Sequence, residues 1–133
     1  MIYVNKWKQE AAYNMNIIYE NKIKGVGDLA SAFAEEKTII LFGDSAPDTL
    51  KDYCYSIDVK KADAVIEPGQ ILEIDGKSYR ILVVGDVMQK NLEALGHISI
   101  QFSGANDGLP GTMVVEEAEV PVLQIGSVVR VLA

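Results

Sequence analysis

Imidazole and thiol are the scarcest reactive groups in this chain: its 133 residues include one histidine, His97, and one cysteine, Cys54. A clustered zinc centre normally takes three or four His and Cys ligands, so none can be assembled from this inventory. Dithiol redox chemistry needs a second thiol and is excluded as well. A serine nucleophile would have to use His97 as its base, and no G-x-S-x-G segment marks a candidate. What survives is chemistry on His97 itself, carboxylate chemistry, or binding.

Basic clusters and long apolar runs are also missing. The formal net charge is −7, and no Lys/Arg cluster or aromatic-basic stripe offsets it, which disfavours nucleic acid and anionic lipid as partners. No apolar run approaches the roughly 18 to 20 residues of a spanning helix. The start, MIYVNKWKQEAAYNMN, lacks the continuous apolar region of a secretion signal. A cytoplasmic protein without membrane insertion is expected, which suits an unpaired Cys54. Phe and Trp are few, at three and one. The apolar content therefore rests on Val, Ile and Leu and leans towards strands. The length fits one domain that buries a core without disulfides, metal or cofactor.

Residues 1–14 are a polar and aromatic mixture with no sustained period and read as an N-terminal extension to a single domain over 15–133. From Asn16, alternation of Ile18, Glu20, Lys22 and Lys24 against Ile17, Tyr19, Ile23 and Val26 predicts a half-buried strand ending at Gly25 to Gly27. Leu29 to Glu36 suits a helical turn, and Thr38 to Phe42 a strand buried on both faces. Ser45 as cap, Pro47 in the first turn and Asp48 completing a capping box predict a brief helix to about Tyr53. VIEPGQILEIDGKSYRILVVG reads as a hairpin turning at Asp75-Gly76. Asp86 to Leu95 is a second helix, with Asp86 and Gln89 as cap and partner and Gly96 suited to the left-handed position after it. His97 to Phe102, Thr112 to Val115 and Ser127 to Leu132 are strands, and Ser103 to Gly111 is a turn-rich loop. PGQILEI and IGSVVRV echo each other weakly. Many short strands, regular turn signals and no βαβ alternation predict a mainly all-β fold: a small closed β-barrel of short, mostly antiparallel strands with two short helices.

Several constellations carry chemical readings beside bland ones. Gly25-Val26-Gly27-Asp28-Leu29-Ala30 imitates a dinucleotide fingerprint but lacks a crossover helix and a second parallel strand. Asp44, Asp48 and Asp52 would share a helix face, for a metal or a general acid, or simply favour a helix N-terminus and solvent. His97 lies at the carbonyl end of the second helix. As a nucleophile it must be neutral with one nitrogen bare and its tautomer fixed by a hydrogen bond to the other; otherwise it ties that helix end to the sheet. Cys54 reads as core. Backbone N–H groups of Gly104, Gly108 and Gly111 offer a cradle for an oxyanion, or only a turn.

Taken in order and spacing, GDSAPDTLKDYCYSID, EPGQILEIDGKSYRILVVGDVMQKNLEALGHISIQFSG and LPGTMVV resemble the glucitol/sorbitol-specific enzyme IIA component of the bacterial phosphotransferase system. The resemblance covers residues 15 to 133. It is carried most distinctively by Ala46 to Cys54, Pro68 to Ile74, Asn91 to Ile98 and Leu109 to Thr112. It implies a β-barrel without metal or cofactor. It also implies a protein-phosphohistidine sugar phosphotransferase role in sugar transport, in which a histidine accepts a phosphoryl group from the phosphocarrier HPr and passes it to the IIB part of a IIB/IIC permease. The component itself does not contact the sugar. In the family the phosphoacceptor stands three residues after the cysteine of the Tyr-Cys segment. This chain has Ile57 there, followed by Asp58. A second histidine common after the PGT word is replaced by Val115. His97, in the word LGHI, matches the family and is the remaining imidazole. The resemblance therefore implies either a phosphoryl carrier working through His97 or a regulatory and docking module without the relay.

Overall fold

The computed structural model describes residues 15–133, so the extension read at 1–14 lies outside the described residues. Among the described residues nine strands form: β1 (Ile17–Lys22), β2 (Gly25–Val26), β3 (Thr38–Phe42), β4 (Tyr55–Ser56), β5 (Ile71–Ile74), β6 (Lys77–Val84), β7 (Ile98–Gln101), β8 (Thr112–Val115) and β9 (Val128–Leu132). Two helices join them, α1 (Asp48–Lys51) and α2 (Met88–Leu95), with a 3-10 turn at Ala34–Glu36 where a helical turn was expected. Strands β3 and β8 match the sequence reading residue for residue. Asp75 and Gly76, at φ 49° and 84°, make the tight turn between β5 and β6.

The ladder order is β1-β9-β5-β6-β8-β7-β3-β4-β2. Its pairs are antiparallel except β3 with β4 and β7 with β8. The closed barrel expected from sequence does not form: among the described residues no ladder joins the edge strands β1 and β2, so the sheet is open. Its two ends are nevertheless drawn together, because β1 and β2 are consecutive. The Ile23 N–H donates to Ser127 O beside β9, while the Lys24 N–H donates to Ser56 O in β4. Inside lies one apolar core that includes Ile39, Leu41, Ile57, Ile81, Phe102 and Met113.

The weak sequence echo has a structural counterpart. Glu67 to Gln70 and Gln124 to Ser127 are matching turns, with Gly69 at φ 93° and Gly126 at φ 95°. Gln70 Oε1 accepts from Glu67 N, and Ser127 Oγ accepts from Gln124 N. Each glycine N–H then bonds a neighbouring chain, at Ile81 O and Ile23 O. The strands that follow, β5 and β9, pair with each other, Glu73 opposite Arg130.

Three local readings are corrected. A register shift between Ile17 and Tyr19 interrupts the alternation of β1. Ile18 and Tyr19 both turn inward, Ile17 is 48% exposed, and Asn21 takes an inward place. Helix α1 starts at Asp48, and Ser45 caps nothing. Pro47 is extended at ψ 148°, and proline holds the residue before it out of helical space, so the helix cannot start earlier. Helix α2 starts at Met88 without a side-chain cap. The Val87 N–H is engaged by Pro110 O and the Met88 N–H by Gly85 O. Gln89, expected as a cap partner, instead pins the segment before β5, accepting from Ile66 N and donating to Ala64 O.

On the outer face, Arg130 of β9 donates to Glu20 of β1 at 2.6 Å and to Glu73 of β5 at 3.0 Å. Its hydrogen bond holds the Glu20 carboxyl below the usual carboxylate range. A depressed pKa stabilises the fold above the unfolded value and loses that contribution as pH falls through the folded one. Arg130→Met should therefore lower the melting temperature at pH 7. In thermal melts, the gap to wild type should narrow as pH falls below about 4.

Candidate functional site

Strand direction decides which residues meet. Because β3 and β4 are parallel, their C-terminal ends share one end of the sheet, bringing Gly43 beside Ile57. Strand β7 is antiparallel to β3, so its N-terminal end, preceded by His97, comes to the same place. Strand β8 is parallel to β7 and adds Gly111. Strand β2 is antiparallel to β4 and adds Lys24.

The junction of α2 and β7 is held by a close backbone contact. Gly96 is left-handed at φ 69° and ends the helix as its sequence suggested. Its N–H donates to Leu92 O and that of His97 to Asn91 O. The Gly43 N–H donates to Leu95 O at 2.9 Å, linking the helix end to the end of β3. A Cβ on Gly96 would stand 2.9 Å from Gly43 N and 3.4 Å from Ile57 Cγ1; one on Gly43 would stand 2.6 Å from Leu95 O.

This contact delivers His97 to the sheet end, half-buried, its ring stacked on Phe42 with centroids 4.2 Å apart and planes 29° apart. Nδ1 is buried and accepts no hydrogen bond from any of the described residues, which leaves Nε2 as the nitrogen open to the surface. The hydrogen bond expected to fix the tautomer is not made; the Phe42 face and the Gly43–Gly96 contact hold the ring instead.

Charged groups line the rim. Lys24 Nζ lies 2.8 Å from Asp44 Oδ1 and 2.9 Å from Asp58 Oδ1. These hydrogen bonds raise the Lys24 pKa. Beneath, the buried Asn21 amide donates to Asp58 O at 2.8 Å and to the Tyr19 hydroxyl at 2.9 Å, and Asn21 Oδ1 accepts from Asp58 N. One side chain thus holds both main-chain polar groups of Asp58. Sequence reasoning missed Asn21 and Lys24, because their partners lie far along the chain.

The other singled-out residues fall as follows. Ile57 sits directly under Gly96 and is 0% exposed. Val115 is also buried, at the other end of β8 and away from His97. Cys54 is core as expected; its thiol donates to Leu50 O, and burial raises its pKa. The aspartate stripe does not form, because α1 begins at Asp48 and Asp44 turns to Lys24. Among the described residues no cluster of His, Cys, Asp and Glu could hold a metal ion. The Gly25–Ala30 segment is a two-residue strand followed by turns, and no dinucleotide-binding unit forms around it. In the loop after β7 the Gly104 N–H is spent on Val115 O. No helix among the described residues is long and apolar enough to cross a membrane.

Gly96→Ala should cost more than Gly76→Ala. Both glycines are left-handed, a conformation that costs a side chain about 1–2 kcal/mol, but a Cβ on Gly76 meets nothing within 4 Å. Urea unfolding of the two variants isolates the extra cost of pushing the helix end off Gly43.

The family model for the glucitol/sorbitol-specific IIA component of the PTS system matches residues 18–130. The PTS system glucitol/sorbitol-specific EIIA components of Shigella flexneri and Escherichia coli (strain K12) are each 30% identical to this chain over 100 residues, covering 74% of it and 81% of their own length. The crystal structure of a PTS system IIA component from Enterococcus faecalis V583 is similar at TM-score 0.77 and 27% identity, over 86% of this chain and 100% of that one. With the match spanning both halves of the sheet and every strand at the His97 end, the chain belongs to the glucitol/sorbitol-specific IIA component family of the phosphotransferase system.

Proposed function

We propose that this chain is a phosphoryl carrier, taking the group from an HPr-like phosphocarrier protein onto His97 Nε2 and passing it to the IIB part of a sugar permease. The observation that carries this reading is the presentation of the one imidazole in the chain. It sits at the sheet end where parallel and antiparallel pairing gather the loops, one face on Phe42 and Nδ1 turned inward. On uptake the P–N bond of the donor imidazole breaks as a P–N bond to Nε2 forms, and on the onward transfer that bond to Nε2 breaks as the acceptor atom of IIB bonds phosphorus. The donor nitrogen keeps the electron pair of the broken bond. The reaction needs an in-line nucleophile and donors for the equatorial oxygens, not a cofactor. Docking is transient, so a limited, polar interface around His97 suits it.

A second reading has its own support. Ile57, at the position where the family resemblance places the acceptor, is wholly built into the core, and Nδ1 has no partner to fix a tautomer. Both features suit a module that docks to PTS partners without carrying phosphate.

Mass spectrometry after incubation with phosphorylated HPr separates the two. The carrier reading predicts an acid-labile gain of one phosphate that disappears in His97→Ala. No gain would overturn it in favour of docking alone, and a gain that survives His97→Ala would overturn the residue assignment.

A further inference from the structure

The strand that begins at His97 carries a second group suited to the transferred phosphoryl, and strand register places it. We propose that the Ser99 hydroxyl donates a hydrogen bond to a phosphoryl oxygen while His97 Nε2 carries the group, which makes Ser99 a second catalytic residue of the site. The inference rests on the carrier reading.

The ladder between β3 and β7 pairs Ile40 with Ser99 and Leu41 with Ile98. One step further Phe42 meets His97, and the stacking of their rings at 4.2 Å carries the pairing to that step. Ile39, Leu41, Ile98 and Ile100 belong to the core. The alternate residues therefore share the outer face, Phe42 and Ile40 on β3 beside His97 and Ser99 on β7. Residues two apart on one strand have Cα atoms roughly 6.6 Å from each other. A phosphoryl group lengthens the imidazole by two bonds beyond Nε2, which is the size of group that closes this gap to a hydroxyl hydrogen bond of roughly 2.7 Å.

The surroundings suit a donor. Ser99 is flanked by Ile40 on one side and by Thr112, its partner in the ladder between β7 and β8, on the other. The loop after β7 roofs that second side, since a Cβ on Gly108 would stand 3.8 Å from Thr112 Cγ2 and 2.9 Å from Val114 Cγ2. His97 and Ser99 are both half-buried in the trough between these walls, where a hydrogen bond to an anion is worth more than in open water. The Ser99 hydroxyl makes no hydrogen bond among the described residues. Its main-chain N–H donates to Gly111 O, so the strand is held without the side chain. A phosphorylated side chain supplies three strong acceptor oxygens. Ser99 keeps its proton throughout, and no covalent bond to it forms or breaks.

The test compares wild type, Ser99→Ala, Ser99→Thr and Gln101→Ala for the rate of phosphoryl uptake from phosphorylated HPr and from the small donor phosphoramidate, with circular dichroism checking the fold. Ser99→Ala is expected to slow uptake from both donors roughly ten- to a hundredfold, the rate equivalent of one hydrogen bond to a charged group. Ser99→Thr keeps a hydroxyl and should restore most of the rate. Gln101 follows on the same face one step further from His97, and Gln101→Ala should leave the rate unchanged. Uptake by Ser99→Ala at the wild-type rate, or an equal loss in Gln101→Ala, would overturn the role of Ser99 while leaving the carrier reading intact. A wild-type protein that accepts nothing from either donor would overturn both. In wild type itself, the Ser99 hydroxyl proton should exchange with water more slowly after phosphorylation; unchanged exchange counts against the hydrogen bond even if the variants fold poorly.

Discussion

The contact between the end of α2 and the end of β3 governs the rest of this architecture. Two glycines let main chain meet main chain: Gly43 donates to Leu95 O, and Gly96, left-handed, lies against Gly43 with no side chain between them. Any Cβ at either position would force the helix away. With the helix seated, His97 enters β7 at a fixed height, Ile57 fills the space below, and Phe42 supplies the stacking face. The imidazole is thus positioned by packing and main-chain hydrogen bonds rather than by a polar partner on its own ring.

Around that apolar seat the rim is polar and mostly acidic. Asn21 performs below the surface what strand pairing would otherwise do, satisfying both main-chain groups of Asp58 where β4 has ended. A buried amide with its donors and acceptor engaged is stabilising, whereas the same amide unpaired would be costly. Above it, Lys24 draws together the loops after β3 and β4 through exposed ion pairs that water and salt can loosen. A firm floor and a loose rim suit the proposed carrier role, in which one ring would meet successive partners and a charged group would arrive and leave.

Much of the fold was legible in the sequence because local signals and tertiary structure agree. The β-branched runs Thr38 to Phe42 and Thr112 to Val115, the Asp75-Gly76 turn and the Gly96 stop formed as read. The misreadings share a cause, since tertiary contacts overrode local patterns. The shift at Ile17 to Tyr19 depends on β9, which lies at the other end of the chain, and the caps assigned to Ser45 and Asp86 lose to proline geometry and to Pro110 O. Closure was overestimated because strand count does not reveal whether the two edge strands pair. At the site, composition alone singled out His97. Its neighbours Phe42 and Gly43 emerge only from the antiparallel pairing of β3 with β7, and Ile57 from the parallel pairing of β3 with β4, long-range features that alternation does not encode.

The seating of the His97 ring is tested most directly by nuclear Overhauser contacts in the folded protein. The account predicts cross-peaks between the ring protons of His97 and Phe42, together with contacts between the Gly43 amide proton and the Gly96 α protons. A His97 ring that shows no contact with Phe42 and reorients freely in solvent would contradict it.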